Sequence, residues 1–528
     1  MADLDSIESR RVSEQERLDS LKTTEERNKW GQFATPPALA TDILQFARSL
    51  WSNGTDVRFL DPAIGTGSFY SAFLRIFPPN CVKCAHGIEL DPLFADAARS
   101  LWAASRLNVT TADFTRLALA PNLPKYNLVV CNPPYVRHHH ITSEHKTVLK
   151  RAVLEQLGMR VSGLAGLYSS FLLLCDRWLE TGALSIWLIP SEFMDVNYGE
   201  AVRKYLTTSV QLLRIHRFCP SDVQFSDALV SSAIVVFRKA KPDPGGIAEM
   251  SFGGPLLRPA QSGHVTVETL KGARKWSGFP SAQPYDRSDP NRVCLGDLFT
   301  IKRGLATGSN RFFVMTVEQS EKAGIPKLFR RPILPGPRFV HESVIESDEQ
   351  GYPLIAPRLI LVDCSLDEET IQRRYPKFWK YLQAGKDAGI HDTYLASKRR
   401  PWYSQENRPP APFICTYMGR TRKGKNPFRV MWNKSDATAH NVYLLLYPKA
   451  DLSNALQRDP ALYGVLFEHL RSIEADAFLE QGRVYGGGLH KMEPREMERV
   501  PVQNLANLLV SSGVYKRQVQ MQFDIATP

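Results

Sequence analysis

Phe59-Leu60-Asp61-Pro62-Ala63-Ile64-Gly65-Thr66-Gly67-Ser68-Phe69 runs from an apolar strand through a glycine-rich turn into a helical run. Glycine lets a backbone approach a ligand closely, and the first turn of a helix offers free N–H groups to it. A tight strand-to-helix turn also uses glycine for purely steric reasons, so the surroundings of this G-x-G decide its meaning. From Gly31 to Lys239, short β-rich runs alternate with helical patterns. The strands are read at 57–60, 82–88, 108–111, 126–131, 183–188, 212–217 and 230–237, and the helices include 68–76, 92–105 and 167–180. Such alternation predicts an α/β fold with a mostly parallel, doubly wound sheet and ligand sites at the carboxyl ends of its strands.

The next strand ends in Gly87-Ile88-Glu89-Leu90-Asp91-Pro92, placing Glu89 24 residues after Gly65. Doubly wound folds put an acid at that point to hold ribose hydroxyls. The third strand ends in Ala112-Asp113-Phe114, an acceptor for an adenine amino group followed by an aromatic to pack its ring. Three successive strand ends thus carry adenosine-shaped contacts. The third glycine of a dinucleotide fingerprint is missing, and so is the G-x-x-x-x-G-K-[ST] loop of triphosphate enzymes.

The fourth strand ends Val129-Val130-Cys131-Asn132-Pro133-Pro134-Tyr135. An aromatic amino group such as that of adenine is a poor nucleophile, because its lone pair is delocalised into the ring. Acceptors that draw its hydrogens out of plane restore lone-pair density. The Asn132 side-chain oxygen and the Pro133 carbonyl can do this, while Pro133 and Pro134 stiffen the turn and Tyr135 offers a face for a base turned out of its stack. Taken alone, Asn-Pro-Pro-Tyr is also a turn after an edge strand.

In this company the chain resembles the gamma class of adenine-N6 DNA methyltransferases of type II restriction–modification systems. The likeness spans the N-terminal half in motif order: Gly31-Gln32-Phe33-Ala34-Thr35-Pro36, the glycines, the acids, then Asn132 to Tyr135. It implies a Rossmann-like class I fold binding S-adenosyl-L-methionine, followed by a mixed α+β target recognition domain. It further implies that Thr35 contacts the methionine part of the cofactor, Asp61, Gly65 and Gly67 the loop beneath it, Glu89 the ribose, and Asp113 with Phe114 the adenine. Later motifs are matched at 182–191 and 224–230, where Phe225 corresponds to an aromatic packing on the flipped base opposite the tyrosine, although Phe225 reads equally well as core. Thr35 before Pro36 also reads as a bare helix cap.

The 528 residues, 43% hydrophobic and 23% charged, suit two or three soluble domains. The expected divisions are a charged, helical leader at 1–30, a catalytic domain at 31–240, a connection rich in proline and glycine at 241–290, and a recognition domain at 291–528 that reads as strand-poor. Net charge is +12, with 26 Lys+Arg against 24 Asp+Glu in residues 1–240 and 40 against 30 in the rest. An anionic polymer, double-stranded DNA by the resemblance, is therefore expected on the second half. Residues 371–434 hold 15 Lys+Arg against 3 Asp+Glu, interleaved with Trp379, Tyr394, Trp402, Tyr403 and Trp432. Lys398, Arg399 and Arg400, and then Arg420, Arg422, Lys423 and Lys425, are the candidate phosphate contacts. No apolar run reaches membrane-spanning length and no secretory signal is read, so a cytoplasmic address is expected. The lone Cys81-x-x-Cys84 and the run His138-His139-His140 do not make a metal site, and none is expected. A cognate restriction endonuclease is expected as a separate protein, and the chain as a monomer. Enzymes that methylate RNA bases or protein glutamine share Asn-Pro-Pro-Tyr, as would an inactive DNA-binding scaffold on this fold.

Overall fold

The computed structural model describes residues 4–51, 56–118, 125–219, 224, 231–273, 275–279, 293–420, 426–485 and 489–502. Its contacts divide the chain into two units, Met1–Tyr285 with Tyr485–Gly487, and Asp286–Val484 with Gly488–Pro528.

The first unit opens with helices α1 (Leu4–Ser20), α2 (Thr24–Trp30) and α3 (Pro37–Ser49). A capping box starts α2, in which Thr23 accepts from Glu26 N–H and the Glu26 carboxylate returns the bond, and Gly31 ends it in the left-handed region. Strand β1 (Val57–Asp61), helix α4 (Ser68–Ile76), strand β2 (Val82–Glu89), helix α5 (Pro92–Leu101) and strands β3 (Leu107–Thr111) and β4 (Tyr126–Cys131) follow. Asp91 caps α5 by accepting from Leu93 N–H, with Pro92 in the first turn, where its missing donor costs nothing. Helices α6 (Ser143–Leu157) and α7 (Leu167–Leu174), strand β5 (Leu179–Pro190), helix α8 (Glu200–Thr208) and strands β6 (Gln211–Arg217), β7 (Ser232–Arg238), β8 (Ile247–Phe252) and β9 (Gln261–Thr266) complete one nine-stranded sheet.

Its order is β3-β2-β1-β4-β5-β7-β6-β8-β9. The first five strands are mutually parallel, and β7 runs antiparallel to both β5 and β6. All six residues of β4 are buried, as expected of a central strand covered on both faces. Alternate residues serve opposite cores: Leu128 and Val130 join Phe59, Tyr70, Phe73 and Trp102, whereas Val129 and Cys131 join Phe114, Phe171, Trp178 and Trp187. Both faces of the central strand therefore exclude water.

Three expectations change in detail. The helix read at 167–180 stops at Leu174 and tightens into the 3-10 turn Cys175–Trp178, because β5 begins at Leu179. Residues read as a connection from 241 onward carry β8 and β9, and Gly253 and Gly254, both at positive φ, turn the chain between them. Glycine content there marks a hairpin, not a boundary. The second unit, read as strand-poor, is rich in short strands.

These are β10 (Phe299–Arg303), β11 (Val314–Thr316), β12 (Arg330–Ile333), β13 (Val344–Ile345), β14 (Leu359–Val362), β15 (Phe413–Thr416), β16 (Met418–Arg420), β17 (Val430–Asn433), β18 (Tyr443–Pro448), β19 (Arg483–Tyr485) and β20 (Leu489–Lys491). They form a five-stranded sheet β10-β18-β15-β17-β13 and two three-stranded sheets, β11-β14-β12 and β16-β20-β19. At 2–6 residues each, they are too short for an alternating pattern to stand out in the sequence. Among the described residues no helix is long and apolar enough to cross a membrane.

Candidate active site

Asp61 ends β1, Glu89 ends β2, Asp113 lies two residues past β3, and Asn132 directly follows β4. Because these four strands are adjacent and parallel, all four side chains originate on one edge of the sheet. The turn above β1 needs both of its glycines: Gly65 has φ 55° and Gly67 φ 93°. A Cβ on Gly67 would fall 2.4 Å from Trp102 Nε1, whereas one on Gly65 would meet nothing within 4 Å. The backbone at Gly67 is thus packed from behind, and the space at Gly65 is open.

Glu89 organises this edge, its Oε2 accepting from Gly65 N–H at 2.9 Å and its Oε1 from Asp91 N–H at 2.9 Å. Burial raises its carboxyl above the usual range despite those bonds. Asp61 accepts from Ala63 N–H at 3.1 Å and is 1% exposed. Burial pushes its carboxyl up to about 8 against that hydrogen bond, and the neighbouring Glu89 charge adds to the rise.

Asp113 accepts from Thr115 N–H at 2.9 Å and from Thr115 Oγ1 at 2.7 Å, capping the 3-10 turn Phe114–Arg116. Its second oxygen lies 3.3 Å from Arg116 and 3.8 Å from His145. Phe114 is 1% exposed and packs on Phe171 and Trp178, with ring centroids 5.2 and 5.6 Å away. It serves the core in this structure.

Asn132 Nδ2 donates to Phe33 O at 3.0 Å and to Thr35 Oγ1 at 3.1 Å. Phe33 O can only accept, which fixes the amide orientation. Asn132 Oδ1 is then a buried acceptor with no partner among the described residues. Beyond the buried Pro133 and half-buried Pro134, Tyr135 N–H donates to Gly31 O at 3.0 Å and Tyr135 Oη to Leu188 O at 3.1 Å. A Cβ on Gly31, where φ is 63°, would lie 2.4 Å from Tyr135 N, so glycine is required for residues 31–35 to dock along this turn. Thr35 O also accepts from Ser68 Oγ at 2.8 Å, joining the same segment to the start of α4. Tyr135 is 6% exposed, with the Phe33 ring centroid 5.7 Å away. Phe225 lies outside the described residues. Residues 138–140 form an exposed 3-10 turn just beyond, and no group of three or more His, Cys, Asp or Glu among the described residues is arranged for a metal ion.

Phe33, named in the sequence only as part of the Gly31–Pro36 motif, and Arg11, Gln15 and Lys22, which no motif marks, contact this constellation. Glu8 and Arg11 are spaced like any solvated i,i+3 pair, and only burial distinguishes them.

In the second unit the basic candidates separate. Arg399 donates to Ala306 O at 2.6 Å, Thr307 O at 2.8 Å and Gln405 Oε1 at 3.1 Å, so its guanidinium is committed to holding the 304–310 loop. Lys398 and Arg400 are exposed, and among the described residues Arg400 donates to the local carbonyls Ser397 O and Arg399 O. Arg420 is exposed at the end of β16, whereas Arg422, Lys423 and Lys425 lie outside the described residues. Of the interleaved aromatics, Tyr403 is fully buried, Trp379 and Trp402 pack against the same core, and Trp432 lies against Tyr463. Tyr394 stands out at 79% exposed.

A mostly parallel sheet in this order, with an antiparallel seventh strand and a glycine turn above the first, resembles that of the S-adenosylmethionine-dependent methyltransferases. Within that class, residues 95–225 match the Eco57I restriction-modification methylase family, and residues 286–522 match the family described as type II methyltransferase M.Eco57I, C-terminal domain. Type II methyltransferase M.XamI of Xanthomonas campestris pv. amaranthicola is 27% identical over 483 residues, covering 90% of this chain and 86% of that protein. M.AccI of Acinetobacter calcoaceticus is 25% identical over 90% of this chain and 85% of its own length, and M.HincII of Haemophilus influenzae is 25% identical over 40% and 37%. Over most of its length the chain is thus similar to type II restriction–modification DNA methyltransferases, and two of its segments match models of the Eco57I family.

Two outcomes follow from this geometry. The unfolded chain ionises Asp61 near pH 4 and the folded chain only near 8, so the buried carboxyl costs stability increasingly across that window, by up to about 1.4 kcal/mol per pH unit. Asp61→Asn keeps the acceptor for Ala63 N–H and should raise Tm, with a gain that widens from pH 5 to pH 8 in thermal melts; a gain independent of pH would contradict it. Arg399→Ala should lower the Tm of the second unit with little change in the salt dependence of DNA binding, whereas Lys398→Ala with Arg400→Ala should flatten the slope of log K against log salt by about two units without altering Tm. The reverse pattern would show that Arg399 faces phosphate.

Proposed function

We propose that the protein transfers a methyl group from S-adenosylmethionine to N6 of an adenine turned out of double-stranded DNA, at a specific site, protecting that site from a restriction endonuclease carried by a separate chain. The unpartnered, buried Asn132 Oδ1 is the observation that carries this reading.

The residues at the strand ends fit the cofactor. Open space at Gly65 admits a ligand against the turn, Glu89 has lone pairs left for ribose hydroxyls, and Asp113 offers an acceptor to the adenine ring. Asp61 supplies latent negative charge beneath the glycine turn, and Thr35 lies between that turn and Asn132. When bound, S-adenosylmethionine would supply a methyl group on a positively charged sulfur, which N6 takes as the carbon–sulfur bonding pair returns to sulfur.

The chain's own part is to make N6 nucleophilic. Asn132 Oδ1 and the Pro133 carbonyl accept its two hydrogens, turning the lone pair out of the ring plane, and one of those protons leaves for solvent after transfer. Phe33 O and Thr35 Oγ1 hold the amide so that oxygen, not nitrogen, faces the base. Tyr135, with Phe225 opposite, sandwiches the base. Because Tyr135 is only 6% exposed, side chains over its ring move when a base enters. Lys398, Arg400, Arg420, Arg422, Lys423 and Lys425 contact the DNA backbone, and the protein acts as a monomer.

Labelled methyl from S-adenosylmethionine, offered to unmodified duplex DNA and to RNA, should appear as N6-methyladenine in DNA. Asn132→Ala should lower that turnover by at least about a hundredfold while leaving S-adenosylhomocysteine affinity nearly unchanged. Label in cytosine, RNA or protein, or near-normal turnover by the variant, would refute the reading. Incubated with DNA and magnesium, the purified chain should leave the DNA uncut; site-specific cleavage would show that the nuclease is not separate.

A further inference from the structure

Helix α1 carries an arginine that is 2% exposed, an unusual place for a charge. Arg11 Nε and Nη2 donate to Glu8 Oε2 and Oε1 at 2.8 and 2.6 Å, and Arg11 Nη1 donates to Thr66 Oγ1 at 3.1 Å. Thr66 Oγ1 in turn donates to Gln15 Oε1 at 2.8 Å, and Thr66 O accepts from Trp102 Nε1 at 3.0 Å. Thr66 is the residue between the two positive-φ glycines, so the most pliable point of the turn is gripped on its side chain by α1 and on its carbonyl by Trp102.

The other end of the helix reaches the same edge. Just past α1, Lys22 Nζ donates to Asp91 Oδ2 at 2.5 Å and to Gln32 Oε1 at 2.9 Å. Asp91 N–H and Gly65 N–H meet on the two oxygens of Glu89. A closed circuit results, from Arg11 to Thr66 and Gly65, through Glu89 to Asp91, and back to Lys22. Leu18 of α1 packs with Phe94 and Ala97 of α5 beneath it.

We infer that α1 is a positioning element for the cofactor site, with Arg11 and Gln15 fixing the 65–67 turn in its binding conformation and Lys22 fixing the loop after Glu89. This rests on the reading of that turn as the S-adenosylmethionine site. A buried ion pair adds little net stability over apolar packing of the same volume, so stability alone does not account for one here. What the pair supplies is direction: donors aimed at one hydroxyl in a turn whose glycines would otherwise have to be ordered by the ligand, at a cost in affinity.

The test replaces the pair by apolar residues of similar volume, Glu8→Leu with Arg11→Met, leaving no unpaired buried charge. Calorimetric binding of S-adenosylhomocysteine should weaken about tenfold or more, a loss of about 1.4 kcal/mol per tenfold. Amide hydrogen exchange at 64–67 should quicken in the ligand-free protein, Tm should stay within a few degrees of the parent, and kcat at saturating cofactor should be retained. Arg11→Lys, which keeps a charge but loses the fork, should fall between the two. Unchanged affinity and exchange in the double variant would overturn the inference. Glu89→Ala, measured alongside, separates the two ideas: undiminished affinity there would refute the cofactor site itself, whereas a loss there with none in the double variant would refute only the role of α1.

Discussion

The hydrogen bonds from Asn132 Nδ2 to Phe33 O and Thr35 Oγ1 set the direction of one amide, and most of the site's geometry serves to make them possible. They require residues 31–35 to lie along the turn after β4, which in turn requires that residue 31 have no side chain. They also require that the turn be stiff, which Pro133 and Pro134 provide, and that its far end be anchored, which Tyr135 achieves through Leu188 O. An asparagine free to flip would place its NH2 where Oδ1 now stands, and the buried, unpartnered acceptor would be lost.

Burial and polarity are divided along each strand. The C-terminal halves of β1 and β4 are apolar and buried on both faces up to Asp61 and Asn132, and β2 ends the same way at Glu89 after Gly87 and Ile88. That arrangement raises the Asp61 and Glu89 carboxyls, since an acid at the mouth of a dry sheet loses much of its hydration. The same dryness gives weight to the few polar contacts present.

Much of this was legible in the sequence because it is local. Asp61, Glu89 and Asn132 each close an apolar run that reads as a strand, and Gly65 and Gly67 mark a turn that only glycine can make. What was not legible depends on distant partners. Arg399 sits in a basic cluster that reads as phosphate-binding, and only the position of Ala306 and Thr307 shows that its guanidinium is spent internally. Arg11 sits in a segment as charged as any solvated helix, and Phe114 follows an acid in a pattern that suggests a ligand while its ring fills the core. In the second unit, strands as short as Val344–Ile345 gain their identity from pairing across the chain, which no window of neighbouring residues contains.

The bonds between Asn132 and the 33–35 segment span 99 and 97 residues of chain. Synthesis at about 5–20 residues per second would separate the two halves of that contact by roughly 5–20 s. During that interval the leading helices leave the ribosome with their docking partners still unmade, and the buried arginine of the first helix is hydrated until the glycine turn arrives. The Asn132 amide therefore cannot settle until well after the segment that holds it, and a nascent chain arrested before its fourth strand would hold the glycine turn with no Asn132 beside it.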